Sequence, residues 1–263
     1  MRKFWKEINA IVTIAARDVT ILVKTPSMFI FSLVMPVIFM GVLGGSLEQN
    51  LTAGMDFNYG QFMLVGMLIN MLFMGTTNGI TSLVEDRTDD FTQELMVSPV
   101  SRYSILLGKI FGASFSAILQ LVGTLLTAFC MGIHYTLGQL LAVLAISPLL
   151  CLAAGSVGMI IIAFVKNNRT AGLVTMLVTM PQMFLTGAFI PINNSRGILF
   201  ILSRIMPMTY ALDLSRAVFF AGTPEYADIV LFHPAFNVLV LTVLSVVFLI
   251  IGTFFFTRSE TTR

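Results

Sequence analysis

The chain has 263 residues, is 57% hydrophobic and only 11% charged, and carries a net charge of +2, with a mean hydropathy of +0.92. A soluble domain has about 25% charged residues, so the composition excludes an ordinary water-soluble core and makes the bilayer the solvent for most of the chain. Cys130, Cys151, His134 and His233 are scattered. They cannot build a disulfide framework or a metal cluster, and both thiols fall in apolar runs, as small buried residues do.

Residues 1–25 form an amphipathic helix. Phe4, Ile8, Ile11, Val12, Ala15, Val19 and Leu22 recur at helical spacing, with Lys6, Thr13, Arg17 and Lys24 on the other side. Basic residues together with Trp5 point to a helix lying in the membrane interface; a helix packed on a partner is the alternative. The mixed charged and apolar start lacks a small-residue site after a short apolar core, unlike a cleavable signal peptide. Pro26 ends this helix.

A helix needs about 20 apolar residues to cross the hydrocarbon. Six segments qualify: Met28–Leu47, Tyr59–Val84, Tyr103–Ile133, Leu137–Val165, Ala171–Ile190 and Ala235–Thr257. The third and fourth are longer than needed and must tilt or project. Pro181 removes a backbone donor from the fifth and is expected to kink it. Polar stripes mark three of the spans. Gly66, Asn70, Thr77 and Thr81 share a face of the second, and Ser116, Gln120, Thr124 and Thr127 a face of the third. Thr175, Thr179, Gln182 and Thr186 do the same in the fifth. Such stripes either join helices, at about 0.6 kcal/mol per contact, or line a path. Joining is the better reading for the third span. For the second and fifth both readings stand, because hydroxyls and amides hold an amphiphile without trapping it.

Between the second and third spans lies the acid-rich segment Glu85–Pro99. Its charges must stay in water at the membrane surface. Asp90 can cap a helix there with Gln93 in the reciprocal position. Asp89 and Asp90 suit the positive end of its dipole. Phe91 and Leu95 then share a face one turn apart, with Met96 beside them, as a docking helix for a cytoplasmic partner requires. A solvated acidic turn is the alternative. A calcium loop is disfavoured because the alternating acid pattern is missing.

After the fifth span, Gly187–Ile192 is followed by a polar Asn193–Arg196 turn, a short apolar run Gly197–Leu202 and then Met206–Leu212. Neither apolar piece is long enough to cross. They form two re-entrant helices that dip into one leaflet, which requires protein or water around their irregular backbone. The re-entrant region spans 187–216. Basic residues set the orientation. With the N-terminus inside, the inner segments hold Arg2, Lys3, Lys6, Arg17, Lys24, Arg87, Arg102, Lys109, Lys166, Arg169, Arg258 and Arg263, and the outer ones only Arg196, Arg204 and Arg216. Both termini and Glu85–Pro99 are therefore expected on the cytoplasmic side.

The phosphate-binding pattern G-x-x-x-x-G-K-[ST] has no match, since Gly108-Lys109-Ile110 lacks the first glycine and the hydroxyl. No Ser-His-Asp, Cys-His or H-E-x-x-H arrangement occurs. The chain is not expected to be an enzyme by itself, to bind a metal or to contact nucleic acid. An ion-coupled secondary transporter would need intramembrane charges and repeated halves, and neither is visible. A membrane assembly scaffold would need a different partner.

Three places resemble a known family. They are Glu85-Asp86-Arg87 through Glu94-Leu95-Met96-Val97-Ser98-Pro99 to Gly108-Lys109, then Leu185–Pro191, then Met206-Pro207-Met208-Thr209-Tyr210-Ala211-Leu212-Asp213-Leu214-Ser215-Arg216. In order and spacing the chain resembles the permease subunit of type-2 ABC exporters, in the branch of daunorubicin-resistance and nodulation-factor export permeases. The resemblance implies an all-α polytopic fold with six transmembrane helices, an interfacial helix at 1–25, a coupling helix at 85–99 and the re-entrant helices, all in one permease domain over 1–263. It implies a cytoplasmic ABC ATPase partner that carries the ATP and Mg, no cofactor on this chain, and a second copy or related permease beside it. It also implies the bacterial cytoplasmic (inner) membrane. Carried over by residue, Glu85, Asp86, Arg87, Asp90, Phe91, Glu94, Leu95 and Met96 would contact the ATPase. Phe189, Pro191, Pro207 and Tyr210 would belong to the outer gate. Asn70, Thr77, Thr81, Thr175, Thr179, Gln182 and Thr186 remain the path candidates. The expected activity is ATP-driven export of an amphiphile: a drug, a lipid or a glycolipid.

Overall fold

A computed structural model describes residues 2–24, 30, 33–34, 36–44, 57–84, 102–165, 167–192 and 195–261. Among them the chain is helical, without a strand. The acidic segment Glu85–Pro99 lies outside the described residues, as does most of the first apolar run. The helices are α1 (Arg2–Lys24), α2 (Tyr59–Thr81), α3 (Arg102–Cys130), α4 (Leu137–Phe164), α5 (Asn168–Leu185), α6 (Ile198–Ile205), α7 (Pro207–Phe219), α8 (Tyr226–Ile229) and α9 (Pro234–Thr261). A π-helical stretch, Phe39–Gly44, precedes α2.

The ends of these helices follow from local chemistry. Asn58 accepts a bond from the Gln61 amide at the start of α2. Thr136 and Gln139 form a reciprocal capping box on α4, satisfying two of its free amides. Asn167 caps α5 through the Thr170 amide. α3 stops at Gly132, whose φ of 84° is open to glycine at little cost. The Gly132 amide bonds the Phe129 carbonyl and the Ile133 amide bonds Ala128, the paired bonds of a Schellman turn. α3 and α4 are thereby a hairpin, and we call that end of the bundle the hairpin end.

Among the described residues four helices are long and apolar enough to cross a bilayer, or five if α6 and α7, bent by 82°, count as one span. α5 is not among the four, because its threonines, Gln182, Asn168 and Arg169 lower its hydropathy; it continues through Pro181 to Leu185. α2 is the central element. Residues 62–70 are buried without interruption, and it packs on α3, α4, α5 and α7. Small residues permit this density: a methyl on Gly79 would overlap that of Ala113 on α3. Small residues at helix contacts are how membrane helices gain dispersion energy where lipid gives no hydrophobic drive. α4 in turn holds α7 and α9.

α1 packs along α3. Residue 108 faces Ile11 and Ile14, and residue 112 faces Asp18, so the two helices run in the same sense. Lys109 reaches Asp18 at 3.2 Å, and Lys109 is buried. The charge count groups Lys109 with the solvated inner basic residues; the structure buries it in a helix contact. Trp5, Val12 and Ile21 on α1 remain exposed.

Replacing Gly79 with Ala should destabilise the chain by about 1–3 kcal/mol through overpacking. Gly172→Ala, which meets open space within α5, should be neutral or stabilise by about 0.5–1 kcal/mol. Thermal unfolding midpoints of the purified variants check both. Equal midpoints for the two would refute the tight α2–α3 contact.

Candidate functional site

α7 is an amphipathic segment by sequence, yet it is enclosed. Residues 211–217 are all buried, Asp213 and Arg216 among them. An 82° turn at Met206 sends α7 into the bundle, with Pro207 at its first position, where the missing amide costs nothing. α6 by contrast exposes Ile198, Phe200, Ile201 and Ile205. Thr209 bonds the Ser203 carbonyl and Tyr210 the Arg204 carbonyl, at 2.7 Å, which fixes the corner.

Two charges one turn apart on α7 hold different neighbours. The Asp213 carboxylate accepts the Leu231 amide at 2.7 Å, the Phe232 amide at 2.9 Å and the Asn237 side chain at 2.7 Å. It thus ties α7 to the start of α9, where a negative charge is favoured. Arg216 turns toward α2 and α5. Its guanidinium lies 3.8 Å from the Phe62 ring centre, and one Nη donates to the Gly187 carbonyl at 2.7 Å and to Ala188 at 3.5 Å. Tyr59 donates to the Phe189 carbonyl at 2.8 Å. Three successive carbonyls just beyond α5 are therefore held by side chains from α7 and α2. Gly187 makes the turn with a φ of 84°, and Phe189 is buried against Phe39 and Phe184. Pro191 is half-buried. Tyr210 stacks on Phe232 in a cluster with Phe236 and the Arg204 guanidinium.

Directly inward of this clamp, α2 and α5 meet. A side chain at Gly66 would overlap the Ala188 carbonyl oxygen, so the two chains touch there. Asn70 lies about 6 Å further along α2 by the rise of a helix. α5 approaches the same level from the opposite direction, with Thr186 two residues and Gln182 six residues before Ala188. Thr175, Thr179, Gln182 and Thr186 are all buried, whereas Leu173, Met176, Leu177, Met180 and Phe184 on the same helix are exposed. The polar stripe of α5 faces the protein and its apolar face looks outward.

Most of the hydroxyls bond their own helix: Thr179 to Thr175, Thr186 to Gln182 and Thr81 to Asn78. Thr77 instead donates to the Ala154 carbonyl of α4 at 3.1 Å, so it joins helices. Four atoms of the polar stripes on α2 and α5 are left without a hydrogen-bond partner among the described residues. They are both amide atoms of Asn70, the Gln182 Oε1 and the Thr175 Oγ1. Buried polar atoms normally have partners, and this set has none among the described residues. The third span's stripe goes to contacts: Gln120 faces Gly75 of α2 and Thr124 bonds Gln120.

The sequence reading missed the clamp. Arg216 is counted there as one outer basic residue and Asp213 only as a motif member. The Asp-x-x-Arg pair inside an apolar stretch was the available signal, because ionisable groups in such a setting are functional candidates. Among the described residues, no three of His, Cys, Asp or Glu come together to hold a metal ion. The eight sequence-derived candidates for ATPase contact, Glu85, Asp86, Arg87, Asp90, Phe91, Glu94, Leu95 and Met96, lie outside the described residues.

Asp213→Asn places an amide nitrogen against donors and removes the charge. It should destabilise the chain by about 3 kcal/mol, and Asn237→Ala by about 1 kcal/mol. Thermal midpoints and protease resistance of the 220–234 segment report both. A wild-type midpoint for Asp213→Asn would refute the tether.

Comparison with known proteins finds a match to the ABC-2 type transporter family over residues 9–220. The chain is 24% identical over 201 residues to the transport permease ycf38 of Cyanophora paradoxa, covering 74% of this chain and 69% of that protein. It is 25% identical over 191 residues to Nodulation protein J of Rhizobium meliloti (strain 1021), covering 72% of each.

Proposed function

The chain belongs to the ABC-2 type transporter family, a membrane component of transporters rather than a catalytic subunit, and from that premise we propose that it is the permease of an ATP-driven exporter of amphiphiles. One observation carries this reading: the family match runs unbroken over residues 9–220 and so includes both the acidic segment 85–99 and the clamped region 187–216. A cytoplasmic ABC ATPase supplies the work, and ATP and Mg belong to that partner. Glu85–Ser98 is the coupling helix, with Phe91 and Leu95 as its anchors. A second copy or a related permease completes the path. Six spans cross the cytoplasmic membrane with both termini inside, so the hairpin end faces out. α5, together with the run at 28–47, supplies the two spans beyond the four most apolar helices.

In this scheme ATP-driven closure of the ATPase pushes the coupling helices, and α2 and α3, joined directly to them, move as rigid rods. Phe189, Pro191, Pro207 and Tyr210 form the outer gate. Asn70, Thr81, Thr175, Thr179, Gln182 and Thr186 face the path, with Thr77 as its link to α4. The unpartnered amides of α2 and α5 support this reading, because a polar surface with free hydrogen-bonding capacity suits transient occupants.

Two experiments test the scheme. Phe91→Asp with Leu95→Asp should abolish co-purification with the ATPase while the permease still inserts; undiminished recovery of the complex would refute the coupling assignment. Cysteines at Thr175 and Gln182 should become protected from thiol reagents when ATP or an amphiphile is added. Labelling that is constant in every state would remove these residues from the path.

A further inference from the structure

The corner where α6 meets α7 holds a cation whose neighbours are rings rather than carboxylates. Arg204 stands in the last turn of α6, just before the bend at Met206. Its guanidinium carbon lies 4.3 Å from the centre of the Phe232 ring and 5.1 Å from that of Phe200. Tyr210 stacks on Phe232, Phe236 packs against both, and the Tyr210 hydroxyl donates to the Arg204 carbonyl at 2.7 Å. Rings hold a guanidinium by its face and leave its N–H donors unused. Nη1 is enclosed and has no hydrogen-bond partner among the described residues, whereas Nε and Nη2 are not enclosed. Among the described residues no carboxylate pairs with this guanidinium. Asp213, which receives the Phe232 amide, commits both oxygens to Leu231, Phe232 and Asn237. The surface around the cation is apolar. Ile198, Ile201 and Ile205 share one face of α6 and are exposed, as are Phe200 beside them and Phe236 on α9.

We infer that Arg204 binds the phosphate of an anionic phospholipid, whose acyl chains lie along Ile198, Ile201 and Ile205. A guanidinium fork matches phosphate oxygens in geometry and charge. The apolar collar selects a lipid over free phosphate, because exposed isoleucines gain from hydrocarbon and phosphate supplies none. The missing countercharge selects an anionic head. A zwitterionic head brings its own cation against the guanidinium, whereas an anionic head compensates it. A second copy of the chain is the competing occupant of this face. The bound lipid is separate from the cargo and needs no assignment of the path. It acts on the corner: Tyr210, one turn into α7, is bonded to the Arg204 carbonyl, so a phosphate held by Arg204 anchors the start of α7 at the bilayer surface.

The test titrates the purified chain in dodecyl maltoside with dioctanoyl phosphatidylglycerol, dioctanoyl phosphatidylcholine, dioctanoylglycerol or inorganic phosphate, and reads the rise in thermal unfolding midpoint. Phosphatidylglycerol should raise the midpoint more than phosphatidylcholine at equal concentration, and dioctanoylglycerol and phosphate should leave it unchanged. Arg204→Gln should raise the half-saturating phosphatidylglycerol concentration about tenfold, the worth of one charge-assisted hydrogen bond. Arg204→Lys, which keeps the charge, should retain the preference for phosphatidylglycerol over phosphatidylcholine, a rescue that loss of packing does not produce. Ile201→Ser with Ile205→Ser, both at exposed positions, should weaken the response while the lipid-free midpoint stays put. Equal responses to the two phospholipids in the wild-type chain, or an equal response to free phosphate, overturn the inference even where Arg204→Gln fails to fold. So does an unchanged half-saturating concentration in a folded Arg204→Gln. Quantitative disulfide linking of Ile201→Cys, in a Cys130→Ser background, assigns the face to a second copy and overturns the lipid.

Discussion

Buried backbone that leaves the helical conformation must find partners for its carbonyls within the protein. The rest of this fold is organised around that requirement at residues 187–189. Their carbonyls are taken by Arg216 and Tyr59, which forces α7 to be buried. It also brings Phe62 beneath the guanidinium and α5 against α2. Burying Arg216 would be costly alone. Its face-on contact with an aromatic ring and its bonds to carbonyls offset the lost hydration. Asp213, one turn away, is satisfied separately by three donors at α9. One short helix therefore fixes α2, α5 and α9 relative to one another at the hairpin end.

The bilayer-spanning character and the helix starts were legible in the sequence because hydropathy and capping are local. Asn58, Thr136 and Asn167 cap where a sequence rule puts a cap. The facing of the α5 stripe was legible too, since period 3.6 groups Thr175, Thr179, Gln182 and Thr186. What each polar residue does was not legible, because that depends on which helix lies opposite. Thr77 and Asn70 share a face of α2, yet Thr77 bonds α4 and the Asn70 side chain has no partner among the described residues. Lys109 looked like a surface cation because it stands near a span end. Its burial is visible only once α1 is known to lie along α3 with Asp18 in reach. The Arg216 clamp needed three segments far apart in sequence, and no local pattern encodes their meeting.

The charges are not spread evenly through the bundle. Buried Lys109 and partly buried Asp18 join α1 to the start of α3, near the segment proposed to meet the ATPase. Among the described residues the other buried charges, Asp213 and Arg216, sit at the opposite end. Breaking a buried charge from its partners costs more than breaking a neutral contact, so both ends of the bundle resist local slippage. The middle is held by small residues and by hydroxyls bonded within their own helices, which gives close packing with little energy tied to any single cross-helix polar contact.

That division matters under the proposed scheme, in which the work enters at one end. Work delivered at the proposed coupling segment would reach the proposed gate only if the helices between do not deform first, and the strong contacts at each end favour movement of whole helices. The path itself needs the opposite property. A deep polar site would retain cargo, and a charged one would trap its counterion. Conduction requires binding that is favourable enough to enter and weak enough to leave. Neutral amides and hydroxyls between two rigid, charge-locked ends meet both conditions.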